Sequence, residues 1–279
     1  MPTEEGDARF HASISTQPAF ELTYFFPGLH REDTECFEPD NPFEDIRVRE
    51  AFARAINRDE IIDVAFGGLG EPAHVLACHP NDPCFDPQWE DDLFELYGYD
   101  PDRSRQLLAD AGYPDGFSLE MAIYELGGFP ELGIATDIVA SLATNVGITT
   151  DIISTDYQIF RENMTYGPIF EMFGLALLNT EMTAAVRSTN YSEFGGTVAG
   201  PQRIVLDDFY QTAIEQPTDQ DRFSVEMDIG SYKFYEYLEL PIAWVPAVAL
   251  IDTSDIFDYV FPGTVPGIFS HLEYVNPVR

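Results

Sequence analysis

Asn41-Pro42-Phe43-Glu44-Asp45-Ile46-Arg47-Val48-Arg49-Glu50-Ala51-Phe52-Ala53-Arg54-Ala55-Ile56-Asn57-Arg58-Asp59-Glu60-Ile61 is the stretch whose reading decides the fold. Val48, Ala51, Phe52, Ala55 and Ile56 recur at i, i+3, i+4, i+7 and i+8, which is one apolar face of a helix, with Arg47, Arg49 and Arg54 off it. Asn57 opens a second helix with Glu60 three residues on as a capping box, and Gly67-Gly68 stops it. Downstream, Asp100-Pro101 is an N-cap followed by proline at the first helical position. That helix runs through Leu107, Leu108 and Ala111 to Gly112.

On the N-terminal side, residues 1–14 read as polar and loose, and Phe20–Phe26 as an apolar strand stopped by Pro27-Gly28. On the C-terminal side, Phe117, Leu119, Met121 and Ile123 alternate as a strand, followed by a helix over about Glu131–Asn145 and a strand around Ile148–Ser154. A short amphipathic helix (Tyr157, Phe160, Met164) leads to an apolar strand over Ile169–Leu178. Asn179 to Gln202 reads as a long polar loop. Helices over about Val205–Glu215 and Arg222–Glu239 precede a strand at Ile242–Ile251. Strands alternating with helices argue for an α/β protein with a largely parallel sheet.

The 279 residues carry 49 Asp+Glu against 14 Lys+Arg, a formal net charge of -35, and Lys233 is the only lysine. Such a chain repels phosphate backbones and anionic lipid surfaces, so nucleic acid is excluded as a partner. The acidity is spread along the whole chain. That favours adaptation to high salt over a local binding patch, with a plain acidic soluble surface as the other reading. No apolar run reaches the length that spans a bilayer. Met1-Pro2-Thr3-Glu4-Glu5 is acidic where a secretory signal is basic and then apolar, so no signal peptide is read in this chain.

Signatures of catalysis are missing. The sequence has no G-x-S-x-G elbow, no H-E-x-x-H, no phosphate-cradling G-x-x-x-x-G-K and no paired C-x-x-C. No catalytic residue, metal ligand set or cofactor is therefore expected, and the chain reads as a non-enzyme. Three cysteines are too few for a disulfide framework. Cys78 and Cys84 bracket a Pro-rich stretch and can close a small loop as a disulfide, leaving Cys36 odd, or stand as free structural thiols. A metal reading with His74 and His79 lacks the ligand spacing of strong sites.

Two long blocks then carry a resemblance. Asn41–Ile61 resembles the signature of the family 5 extracellular solute-binding proteins, the peptide, dipeptide and nickel receptors of ABC importers. Tyr99-Asp100-Pro101-Asp102-Arg103-Ser104-Arg105-Gln106-Leu107-Leu108-Ala109-Asp110-Ala111-Gly112-Tyr113-Pro114-Asp115-Gly116-Phe117 is similar to the family's second recurring block. Weaker matches at Gly147–Ile152, Glu171–Leu178 and Leu240–Pro246 extend the resemblance over about 20–279. It implies a periplasmic-binding-protein-like class II α/β fold that closes on its ligand at a hinge and docks on a membrane permease.

Family members are nearly twice this length, and the chain resembles the second lobe plus the C-terminal segment that returns to the first lobe. The implied division is a tail and crossing strand over 1–40, the second lobe over 41–239 and the return segment over 240–279. Without a first lobe, the strands at Phe20–Phe26 and Ile242–Ile251 are expected to be unpaired edges.

The resemblance implies an extracytoplasmic location, with a peptide or other small solute, an ABC permease and the missing N-terminal lobe as partners. It places ligand contacts after the buried strand of the second lobe, at Asn179, Thr180 and Glu181, and in the following loop at Asn190 and Tyr191. Glu181 is suited by charge to meet a peptide's ammonium group. A different reading is a stand-alone or complementing interaction module that pairs with a separate first lobe without transporting anything.

Overall fold

The computed structural model describes residues 10–35, 37–125, 130–159, 175–178, 182–190, 200–259 and 275–277. The deciding stretch folds as two consecutive helices behind a single tight turn, Pro42–Glu44, whose head is set by Asn41. The Asn41 Oδ1 accepts from the Phe43 N–H at 3.0 Å, and its Nδ2 donates to the carbonyls of Pro27 and Gly28 at 3.0 and 2.9 Å. Asp45 caps α1 (Ile46–Ala55) and Asn57 caps α2 (Arg58–Phe66), each side chain accepting an otherwise orphaned backbone N–H. Gly67 ends α2 in the left-handed region, at φ 61°, where a side chain is costly.

The apolar face of α1 is buried, and its Phe52 ring stacks on Tyr24 at 4.5 Å. Arg49 departs from its expected place off that face. It is buried, because its guanidinium closes the carbonyls of Phe43, Glu44 and Glu236 at 2.6, 3.1 and 3.0 Å.

Two more helices complete this layer. In α3 (Pro87–Tyr97), Asp86 is the cap and only Trp89 and Tyr97 are buried, so its acidic surface hid it in the sequence. In α4 (Pro101–Asp110), Asp100 is the cap and the Ser104 hydroxyl donates to Ala51 O of α1 at 2.7 Å. The segment Phe117–Glu125 (β3) pairs in parallel with Ile148–Asp156 (β4) through the crossover helix α5 (Pro130–Asn145). Gly116 starts β3 at φ +74°, and a Cβ there would lie 1.8 Å from Gly147 O, so glycine is required where the two strands begin.

The larger sheet corrects the expectation of a mostly parallel one. It has four strands in the order β2-β6-β1-β5, every pairing antiparallel: β1 is Phe10–Phe25, β2 Glu71–Pro72, β5 Leu175–Leu178 and β6 Glu239–Asp252. The reversal follows from chain path. After α6 (Met182–Thr189), α7 (Ile204–Ile214) and α8 (Asp219–Tyr235), Tyr237 turns the backbone at φ 49° and β6 runs back along β1. A short antiparallel pair, β7 (Ile256–Tyr259) with β8 (Val275–Pro277), follows.

Three further expectations change here. Phe20–Phe26 and Ile242–Ile251 are not orphan edges, because they pair with each other, with Leu22 opposite Ala243 and Tyr24 opposite Leu240. Residues 10–14 are strand rather than loose chain, held against Val248–Asp252. The polar stretch read as a loop contains α6. Phe160 and Met164, read into a short helix, lie outside the described residues.

The β1–β6 ribbon has two ends of different character. Its inner half, around Leu22, Tyr24, Leu240 and Ile242, is fully buried. At its outer half, strand alternation puts Phe10 and Ile14 on the face shared by Val248 and Leu250. Those four side chains are 41%, 43%, 54% and 71% exposed.

Candidate functional site

The strand β5 lies against β1, with Leu178 opposite Glu21, so the chain leaves the sheet at Glu21 toward the segment in which the sequence placed ligand contacts. Asn179, Thr180, Glu181 and Tyr191 lie outside the described residues. Asn190 is described and is fully buried after α6. Its amide Nδ2 donates to Pro201 O at 3.0 Å and Glu239 Oε1 at 3.2 Å, and its Oδ1 accepts from Lys233 Nζ at 3.3 Å. These partners turn the Asn190 side chain into the protein.

That asparagine belongs to a buried polar network at the inner end of the ribbon. Lys233 of α8, the only lysine, is 3% exposed and pairs with Glu239 of β6 at 2.8 Å. Nearby on β1, Glu21 is 1% exposed; its Oε1 accepts from the Thr23 hydroxyl at 3.1 Å and its Oε2 from the Ala77 N–H at 2.6 Å. Burial pushes the Glu21 carboxyl up to about 8, against the lowering by those hydrogen bonds. The sequence held a signal for Glu21 alone: a glutamate inside an apolar strand needs an internal partner, whereas a lysine in a helix is ordinarily exposed.

Ala77, which satisfies Glu21, stands directly before a loop closed by a disulfide. The structure joins Cys78 to Cys84, with Cα atoms 6.1 Å apart and both side chains buried. Cys36 lies outside the described residues. His74, just before this loop, packs edge-on against Phe85 at 5.2 Å, and burial pushes its imidazole down to about 4. His79, inside the loop, pairs its Nε2 with Glu71 Oε1 at 2.6 Å and meets the Trp244 ring edge-on at 5.4 Å. Among the described residues no group of three His, Cys, Asp or Glu side chains could hold a metal ion.

Two open cavities flank this architecture. One of about 500 Å³ lies between the segment Pro27–Phe43 and the start of β3, with Glu38, Asp40 and Glu120 in its wall. The other, about 260 Å³, lies beside the ribbon and is lined by Ser15, Pro18, Leu69, Gly70, Glu71, Trp244 and Pro246. No helix among the described residues is long and apolar enough to cross a membrane.

Comparison with known proteins follows the same line. A family model described as "Bacterial extracellular solute-binding proteins, family 5 Middle" matches residues 3–190. Heme-binding protein A of Haemophilus influenzae is 27% identical over 131 residues, 46% of this chain and 23% of its own length. Glutathione-binding protein GsiB of Salmonella choleraesuis is 40% identical over 77 residues, 28% of this chain and 14% of its own length. Among solved structures, a dipeptide-binding protein from Pseudoalteromonas sp. SM9913 in complex with Met-Leu superposes with a TM-score of 0.76 at 17% identity, over 97% of this chain and 50% of that one. The chain thus spans about half the length of that solved relative, and under a quarter of each of these two curated relatives is matched.

Proposed function

The chain belongs to the family 5 bacterial extracellular solute-binding proteins, and on that premise we propose that it is the second lobe, with the C-terminal return segment, of a receptor that captures a peptide or similar small solute outside the cytoplasm. Delivery goes to a membrane permease of the ABC type. The division into tail and crossing strand (1–40), lobe (41–239) and return segment (240–279) is part of the same proposal. The observation that carries it is the β1–β6 ribbon, whose inner half is buried in this lobe while its outer half stands out with Phe10, Ile14, Val248 and Leu250 exposed. An exposed apolar face of this kind supports a partner that covers it, and the chain superposes over 97% of its length on 50% of a solved relative. Asn179, Thr180, Glu181 and Tyr191 remain the proposed ligand contacts; Asn190 is proposed to act by holding the segment after α6 through Lys233 and Glu239.

The same exposed face supports a second reading, in which the chain is an interaction module that pairs with a separate first lobe and transports nothing. Thermal unfolding of the purified chain, with and without a mixed pool of short peptides, separates the two. A midpoint that rises with peptide supports solute capture. A midpoint indifferent to peptide, in a chain that unfolds cooperatively, argues for the module.

A further inference from the structure

We propose, on the reading of Asn179, Thr180 and Glu181 as solute contacts, that the Cys78–Cys84 disulfide positions that segment, acting through Ala77 and Glu21 on the end of β5. Three observations carry the proposal.

The first is a strap across the larger sheet. In the strand order β2-β6-β1-β5, β2 and β5 are the two edges. The chain leaves β2 at Pro72 and gives the Ala73 N–H to Ile242 O of β6 at 3.2 Å. It then reaches β1 at Ala77, whose N–H donates to Glu21 Oε2 at 2.6 Å. Ala73, Val75, Leu76 and Ala77 are buried along this path. The strap thus ends on the residue of β1 that lies opposite Leu178, the last residue of β5.

The second is the conformation that delivers the N–H. Ala77 stands at φ 60°, in the left-handed region that a Cβ makes costly, so its neighbours must hold it there. Cys78 follows it directly. The Cys78 N–H closes a turn on Val75 O at 3.3 Å, and its sulfur is tied to Cys84. Without that tie Ala77 returns to its ordinary backbone region. The peptide between Leu76 and Ala77 then turns relative to Cys78, and its N–H leaves Glu21.

The third is what depends on this bond. The other oxygen of Glu21 accepts from Thr23, which is a contact within β1 itself, so Ala77 supplies the hold from outside the strand. Among the described residues β5 pairs with β1 alone, from Glu21 to Tyr24, and has no second strand to keep its place. Loosening β1 at Glu21 therefore loosens the point from which Asn179 leaves the sheet.

The test is hydrogen–deuterium exchange of the full chain in the absence of solute, comparing β5 (175–178) with β4 (148–156), which pairs with β3. Cys78→Ala/Cys84→Ala should quicken exchange in β5 about tenfold more than in β4. A crosslink that only restrains the unfolded chain would quicken both alike. The cysteine replacement is then repeated in two backgrounds. Glu21→Gln keeps an oxygen for the Ala77 N–H and should keep the excess in β5, whereas Glu21→Met removes the acceptor and should abolish it. Equal quickening of β5 and β4, or an excess that survives in Glu21→Met, overturns the proposal. The comparison of β5 with β4 needs no replacement at Glu21, so it decides even where Glu21→Met fails to fold. Because no solute is present, a wild type indifferent to peptide would remove the reading of the segment as solute contacts and leave this result standing.

Discussion

Replacing Glu21 by glutamine should flatten the pH dependence of stability above the ordinary carboxylate range. Folded Glu21 keeps its proton up to about pH 8, while the unfolded side chain releases it near 4.5. Between those values the folded state holds the extra proton, so raising the pH withdraws stability, which is full below 4.5. The slope is about 1.4 kcal/mol per pH unit, and from pH 5.5 to 8 it amounts to about 3 kcal/mol. Glutamine keeps the geometry: its oxygen can accept from the Ala77 N–H and its amide can donate to the Thr23 hydroxyl. Losing the ideal arrangement costs Glu21→Gln about 1 kcal/mol at low pH. Urea midpoints of both proteins at pH 5.5, 6.5, 7.5 and 8.5, at one high salt concentration, provide the assay. His74 is held below its ordinary value by burial and gives an opposite trend on the acid side, but it is common to both proteins and cancels in the difference. The wild type should lose ground to Glu21→Gln by about 3 kcal/mol across that range. Parallel curves would refute the reasoning and show that buried Glu21 keeps its charge.

Three other outcomes follow from the same geometry. Lys233→Met leaves Glu239 charged and buried and should cost about 3–5 kcal/mol by denaturant unfolding, part of which returns in the double variant Lys233→Met/Glu239→Gln. Paired replacement of Cys78 and Cys84 by alanine opens a loop of sequence separation 6 and should cost about 2 kcal/mol, read as a lower urea midpoint with no further effect of reductant. With a net charge of -35, the midpoint should rise from about 0.1 M to about 3 M KCl as screening tightens, and a salt-independent midpoint would remove the case for salt adaptation.

Local chemistry made much of this fold legible. Asn57 and Asp100 announce helix starts because a short polar side chain can accept the orphaned N–H groups, and both do so; Asp45 caps α1 in the same way without having been read from the sequence. The alternation Phe117, Leu119, Met121, Ile123 and the helix before Gly147 announce a parallel pair with its crossover. Long-range pairing was not legible. Whether β1 meets β6 is decided by residues more than two hundred positions apart, and period-2 alternation in one strand says nothing about its neighbour's direction. The helix α3 was hidden because its surface is acidic and only two aromatic side chains mark the inner face. At the candidate site, Asn190 looked like a loop residue by composition, yet its side chain answers Lys233 and Glu239 from distant elements.

Hydrogen–deuterium exchange along the ribbon, with and without a saturating pool of short peptides, tests most directly the claim that this is a solute-binding lobe with a half-covered hinge. The account predicts slow exchange in the inner half (18–25 and 239–245) and fast exchange in the outer half (10–15 and 246–252). Added peptide should slow exchange in β5, in α6 and in the chain between them. Uniform protection along the ribbon, or identical exchange with and without peptide in a folded chain, would contradict it.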